Sequence, residues 1–258
     1  MAITIFTFAL NCCIKYQYFL KSWKTAKVVP ILKPGKDPCK ADSYRPISLL
    51  SSLSKVFKQI IKTKLWKFIE VHNILPPEQF RFRRFHSTVQ QIKRIQKHVK
   101  DNFTLQRSTV MVLLDIEKAF DTVWHNGLIF KLINFNFPYF LIKVIRSFLS
   151  ERSFCICLDN EYSDILNISA GVPQGSVLGP ILYTIFCADI PKYEVCNYAY
   201  YADDTAIYVS DVLSKNILNE QQNGIKSIEN FFHTWSWWKV GVVAALFKKN
   251  LLDFYFFI

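Results

Sequence analysis

Tyr198-Ala-Tyr-Tyr-Ala-Asp-Asp-Thr-Ala-Ile-Tyr-Val-Ser210 sets two adjacent carboxylates, Asp203 and Asp204, between two apolar and aromatic runs. Two β-prone runs joined by a two-residue acidic turn spell a β-hairpin with charge at its tip. Like charges side by side are costly until a cation joins them. Mg²⁺ is the natural partner, a hard ion that takes oxygen ligands from one or two carboxylates and from substrate phosphates. The hairpin then reads as half of a phosphoryl-transfer site, and the other half has to be a third acid.

Upstream, Ser108-Thr-Val-Met-Val-Leu-Leu-Asp115 is a continuous apolar run of buried-strand type that ends on one acid. Taken singly, an acid at a strand end is most often a cap, and an Asp-Asp pair a solvated loop. The order is more specific: strand with Asp115, helical stretch, hairpin with Asp203 and Asp204. That is the layout of a split βαβ palm, and the fold class expected is α+β.

A chain of 258 residues, 51% of them hydrophobic, builds a sizeable core and excludes a disordered protein; its length suits one large or two modest domains. The net charge of +12 is unevenly spread. Residues 1–107 hold 21 Lys and Arg against 5 Asp and Glu, whereas residues 108–258 hold 11 against 15. A basic half suits a phosphate backbone and an acidic half suits metal-bound phosphates, the bland alternative being two solvated faces. Cys12, Cys13, Cys39, Cys155, Cys157, Cys187 and Cys196 include no C-x-x-C pair, which reads as reduced core thiol and excludes a disulfide framework or zinc site. Apolar residues 2–10 lack a basic leader, stop at Asn11 and are too short to span a bilayer. They are expected to be a buried segment, and the protein to be intracellular, nuclear or cytoplasmic, with no membrane partner.

Along the chain, a strand over 28–32 runs into the basic turn Lys33-Pro-Gly-Lys-Asp-Pro38. Residues 43–48 lead into a helix. Leu53, Val56, Phe57, Ile60, Ile61, Leu65 and Phe68 mark its packed side, and Lys55, Lys58, Lys62, Lys64 and Lys67 its positive faces. Gln79-Phe-Arg-Phe-Arg-Arg-Phe-His86 interleaves rings with cations, either to stack on bases and pair with phosphates or as an amphipathic strand with a basic edge. Ser87 and Gln90 form a capping box for a helix with Val89, Ile92, Ile95 and Val99 on its inner side. Helical residues 127–134 and 138–149 are separated at Pro138, strands are expected over 153–158 and 162–168, and a helix over 179–188 follows the loop Gly171-Val-Pro-Gln-Gly-Ser176. Ile217, Ile225, Ile228, Phe232 and Trp235 mark one face of a last helix.

Five motifs recur together here in one order. They are Tyr44-Arg-Pro-Ile-Ser-Leu-Leu-Ser51; Gln79-Phe with His86-Ser-Thr88; Leu114-Asp-Ile-Glu-Lys-Ala-Phe-Asp-Thr-Val-Trp-His125; Ala170-Gly-Val-Pro-Gln-Gly-Ser-Val-Leu-Gly-Pro180; and Tyr201-Ala-Asp-Asp204. Over residues 5–238 the chain resembles the reverse transcriptase domain of non-LTR retrotransposons, jockey-like elements above all. The resemblance implies a right-hand polymerase: a basic fingers region over 1–107, a ferredoxin-like palm over 108–238, and a thumb missing or vestigial. It also implies two Mg²⁺ ions, replaceable by Mn²⁺, held by Asp115, Asp203 and Asp204, the first two bridging both ions. An RNA template, a DNA primer and deoxynucleoside triphosphates follow as partners. Phe120 takes the place of the ring that excludes a 2′-hydroxyl, Gln174 that of the glutamine beside the incoming nucleotide, and Lys33 and Arg45 those of the finger cations that clamp its triphosphate.

Two places depart from the family's pattern. Arg81 stands where relatives carry Gly, which threatens a tight backbone position. Residues 239–258 are a divergent apolar tail that reads as a truncation or frame change, with Lys248 nearest to the lysine that would protonate pyrophosphate. Beside the polymerase stand two alternatives: a truncated, inactive transposon remnant that binds nucleic acid, and an RNA-dependent RNA polymerase, which Phe120 argues against.

Overall fold

The computed structural model describes residues 2–49, 51–158, 161–173, 175–212, 214–235 and 240–247. In chain order they form α1 (Ala2–Lys15), β1 (Thr25–Leu32), β2 (Tyr44–Leu49), α2 (Ser52–His72), α3 (Thr88–Thr104), β3 (Ser108–Ile116), α4 (His125–Asn134) and α5 (Tyr139–Leu149). There follow β4 (Arg152–Leu158), β5 (Glu161–Tyr162), β6 (Leu166–Ile168), α6 (Gly179–Phe186), β7 (Asn197–Tyr201), β8 (Asp204–Asp211), α7 (Ser214–Thr234) and β9 (Val240–Phe247). Packing groups Met1–Ile74 with Phe120–Phe186 in one compact unit, and Leu75–Ala119 with Cys187–Ile258 in a second. Among the described residues no helix is long and apolar enough to cross a membrane.

The first unit holds a mixed sheet in the order β2-β1-β4-β5, with β6 also on β4. β1 runs antiparallel to β2 and parallel to β4. β2 was not legible in the sequence, because Pro46 sits in its middle. Pro46 is tolerated there because β2 is an edge strand and because it lies opposite Pro30. Two residues without N–H groups cannot exchange ladder bonds, so the pair occupies a non-hydrogen-bonded position.

Phe19, Trp23, Phe57 and Phe148 form a ring cluster with centroids 5.0–5.8 Å apart. Around it, α2 buries Phe57, Ile61, Leu65 and Ile69, while Leu53 and Val56 stay exposed. Lys58 does not sit on the positive face expected for it. It is 1% exposed, on the same stripe as Ser54, Ile61 and Leu65. Burial, with the charges of Arg152 and Lys55, pushes its pKa down to about 8. The opening helix departs from expectation as well: α1 runs through Asn11, and Ile3, Ile5 and Phe8 face outward while Leu10 and Cys13 are buried. Pro138 is the N-cap of α5, where a proline can stand, so α4 and α5 are separate helices as the sequence indicated.

The second unit is built on a sheet in the order β7-β8-β3-β9. Every neighbouring pair is antiparallel. β3 and β7 are therefore parallel with β8 inserted between them, which is the split βαβ arrangement. Residues 240–247, part of the stretch expected as a divergent tail, pair along β3 from Thr109 to Ile116. β3, the strand of Asp115, thus has a neighbour on each side. Lys248 lies outside the described residues. Alternation along β8 sends Ala206 and Tyr208 to one face, against Ile95 of α3, and Ile207 to the other, against α7 at Gly224. No disulfide is formed by the described residues; Cys13, Cys155, Cys187 and Cys196 are buried, whereas Cys39 is exposed and not a core thiol.

Candidate active site

The ladder between β3 and β8 ends with Leu114 opposite Thr205, and that between β7 and β8 with Tyr201 opposite Asp204. One step beyond Leu114 on the same register, Asp115 comes beside Asp204. The three acids therefore lie at one end of the sheet; burial first, then the charges of Asp203 and Asp115, raise the Asp204 pKa, while Arg81 opposes them. The turn is shifted by one residue from the expected Asp203-Asp204. It is made by Ala202 and Asp203, and Asp204 already belongs to β8. Ala202 has φ +62°, a left-handed value that costs a non-glycine residue about 1–2 kcal/mol. Three carboxylates on neighbouring strands are the right donors for a hard divalent cation. Among the described residues, however, no group of three His, Cys, Asp or Glu side chains is drawn together closely enough to hold a metal ion as it stands.

β7 is an edge strand, and the segment from Glu78 to Arg94 covers its outer side. The Phe80 N–H donates to Tyr200 O and the Tyr200 N–H to Glu78 O, both at 3.1 Å. Gln91, buried, donates through Nε2 to Glu78 O at 2.9 Å and Tyr200 O at 3.1 Å, and Arg94 Nη2 donates to Tyr198 O. Gln79, 3% exposed, accepts through Oε1 from the Arg81 N–H at 2.9 Å and the Ala202 N–H at 3.2 Å. The interleaved run is not the amphipathic strand, and Phe85 in it is exposed. It is a series of turns with Phe82 and Phe85 at φ +61°. Arg81 takes no left-handed value, so the backbone strain expected there is absent; its guanidinium stands 5.0 Å over the Tyr201 ring and donates to Tyr201 Oη at 2.9 Å.

The capping box of α3 is as the sequence indicated, with Ser87 and Gln90 bonded reciprocally. Its inner face is so only in part: Ile95 packs on the core and Val99 is half-buried. Val89 and Ile92 are exposed, and Gln91, Arg94, Ile95, His98 and Asn102 turn inward. Polar side chains face the sheet because an edge strand presents backbone groups that need partners. His98 continues the pattern by bonding Ser210 Oγ at 2.9 Å, and burial lowers its pKa.

Phe120, Lys33 and Arg45 belong to the first unit. The Phe120 ring is half-buried and stacked on Tyr183, with centroids 4.4 Å apart and planes at 25°. Its carbonyl accepts from the Val172 N–H at 2.8 Å, and the Gly171 N–H donates to Val123 O at 2.8 Å. Gly171 has φ +85°, and a Cβ there would stand 2.5 Å from Asp121 O. The glycine loop is thus a backbone clasp on the segment carrying Phe120. Burial holds His125 below its usual pKa, and one of its ring nitrogens bonds Gly171 O at 2.8 Å. Arg45 is exposed opposite Ile31, and the Lys33 N–H donates to Ser43 O at 2.8 Å, so the two finger candidates share one end of the β1–β2 ribbon. A cavity of about 330 Å³ is lined by Pro46 and Ser48 from that ribbon, by Asp121 and Gly171, and by Arg152. Arg152 is buried, which lowers its pKa to about 10. Gln174 lies outside the described residues.

Comparison with known proteins decides the family. Residues 31–239 match the family described as reverse transcriptase (RNA-dependent DNA polymerase). The chain belongs to this family. Among reverse transcriptases it is 40% identical over 243 residues to a probable RNA-directed DNA polymerase from transposon BS of Drosophila melanogaster, covering 91% of this chain and 26% of that one. It is 38% identical over 252 residues to the RNA-directed DNA polymerase from the mobile element jockey of the same fly, covering 94% and 27%. The chain thus spans about a quarter of the length of these relatives. In fold it is similar to apo telomerase from Candida tropicalis, with a TM-score of 0.61 at 15% identity, over 92% of this chain and 54% of that one. The α+β polymerase fold expected from the sequence is therefore present.

Proposed function

We propose that this chain is the polymerase domain of a non-LTR retrotransposon and extends a DNA primer on an RNA template from deoxynucleoside triphosphates. What supports the reading is the β3–β8 ladder, which sets Asp115 beside Asp204, together with the rise in the Asp204 pKa that Asp203 and Asp115 help to cause. A carboxylate whose pKa is raised by neighbouring carboxylates is a charge in want of a cation. Asp115, Asp203 and Asp204 would hold the divalent ions. Bound Mg²⁺ or Mn²⁺ would lower the pKa of the primer hydroxyl and offset charge on the reacting phosphate.

The remaining work falls to the chain's own groups. Lys33 and Arg45 would hold the triphosphate, one as a point charge and the other as a fork. The Phe120 ring, braced by Tyr183, would stand under the sugar and collide with a 2′-hydroxyl. Gln174 would touch the incoming nucleotide. On this reading residues 1–107 supply the fingers and residues 108–238 the palm.

Primer extension on poly(rA)/oligo(dT) with Mg²⁺ and dTTP tests the reading. Extension is expected, and Asp203→Asn should reduce its rate by at least about 100-fold, the scale of a lost metal ligand. Folded protein that does not extend, or an Asp203→Asn variant at full rate, would overturn it.

A further inference from the structure

We propose that Gln79 is a positioning residue for the acid pair: its buried side-chain oxygen fixes the turn from which Asp203 and Asp204 project. The proposal rests on the polymerase reading for its catalytic consequence, and on geometry for the rest. A two-residue hairpin turn at the end of an edge strand leaves its first N–H without a partner in the sheet. In this chain that N–H belongs to Ala202, which is also the residue held at φ +62°. Gln79 Oε1 accepts it at 3.2 Å. The same oxygen accepts the Arg81 N–H at 2.9 Å, and the Arg81 guanidinium stands 5.0 Å over the ring of Tyr201, the residue before the turn. One atom therefore ties the acid-bearing turn to the cation beside it. Both donors are backbone N–H groups, so only the oxygen of the amide can face them.

Gln79 is itself anchored on both sides. Its flanking residues Glu78 and Phe80 bond both backbone groups of Tyr200, and Gln91 bridges Glu78 O and Tyr200 O from α3. An acceptor held this firmly transmits position. A misplacement of about 1 Å at reacting groups is worth on the order of 100-fold in rate. The consequence belongs to kcat, since the bonds of Gln79 Oε1 go to the turn that carries the acids and to Arg81.

The test compares Gln79→Met, which keeps the length and removes the acceptor, with Gln79→Glu, which keeps it. Gln96→Met on the exposed side of α3 serves as control. Three quantities are read on the full chain: hydrogen exchange at the Ala202 amide, thermal melting, and steady-state extension with dTTP. In Gln79→Met the Ala202 amide should exchange at least about tenfold faster, as loss of one hydrogen bond implies. Its kcat should fall by about 30-fold or more, with KM for dTTP within about threefold. Gln79→Glu should recover the exchange protection and most of kcat, and the control should change neither. Unchanged exchange at Ala202, or unchanged kcat in Gln79→Met, overturns the proposal. So does a loss shared equally by Gln79→Met and Gln79→Glu. Should Gln79→Met unfold, Gln79→Glu decides alone: protection retained supports the role, and protection lost overturns it. If the unaltered chain does not polymerise, the polymerase reading fails, and the exchange data still decide whether Gln79 fixes the turn.

Discussion

At the scale of single residues, Phe120 and Asp204 make separable claims. The Phe120 ring cannot swing away easily because it lies flat against Tyr183. Phe120→Val should therefore admit ribonucleotides, and Tyr183→Leu should relax the same selection more weakly, by freeing the ring without removing it. The ratio of kcat/KM for dTTP and UTP checks both; a ratio unchanged in Phe120→Val would dismiss the gate. For Asp204 the sign follows from linkage. Its folded pKa lies above the ordinary 3.8, so the stability tied to its proton is complete below 3.8 and is lost as pH rises through the folded value. Asp204→Asn should melt higher than the unaltered chain at neutral pH in the absence of divalent ions, and the gap should close in acid. Melting curves against pH check it.

At the scale of elements, α2 and α7 each contain a residue whose neighbours decide its effect. Lys58 lies on the buried stripe of α2, and its folded pKa of about 8 lies below its ordinary 10.5. The cost of keeping it charged is on the order of 3 kcal/mol below pH 8, and falls away as pH rises from about 8 to 10.5. Lys58→Met should stabilise the chain at neutral pH and lose that advantage towards pH 10.5, as urea unfolding at several pH values would report. Helix α7 presses Gly224 on Cys196, whose Sγ would stand 2.6 Å from an added Cβ. Overpacking costs about 1–3 kcal/mol and outweighs the ~1 kcal/mol gain in helix propensity. Gly224→Ala should destabilise by about 1 kcal/mol alone, and be neutral or stabilising in a Cys196→Ala background; additive effects would refute the contact.

Helix periodicity located α2, α3 and α7 but mistook in part which face of α3 turns inward. Apolar residues normally mark the core side. In α3 the neighbour is an edge strand with unbonded carbonyls, and Gln91 and Arg94 win that side over Val89 and Ile92. The same cause hid β2: a proline in a run argues against a strand unless the strand is an edge, and edges are assigned by partners far along the chain.

At the scale of the whole molecule, charge and packing divide the chain differently. Charge changes sign near residue 107, whereas the packing units break at 74, 119 and 186. Packing follows the two sheets; charge follows what the surface meets. If the basic stretch grips phosphates, affinity for an RNA–DNA primer-template should fall on the order of 1,000-fold between about 50 and 200 mM salt. Replacing Lys33 by Ala should lower the salt slope by about one. A binding titration at four salt concentrations measures both, and a flat response would remove the phosphate-gripping role.

The sequence by itself determined the acids and their order, the capping box of α3, the hairpin and the family, because these depend on residue type and local spacing. Tertiary structure alone decided that the turn falls on Ala202 and Asp203, that Lys58 is buried, that residues 240–247 complete the sheet beside β3, and that Gln79 faces the turn. Each of these is set by a partner distant in sequence, whose position follows from burying the greatest apolar area while leaving the fewest backbone groups unbonded.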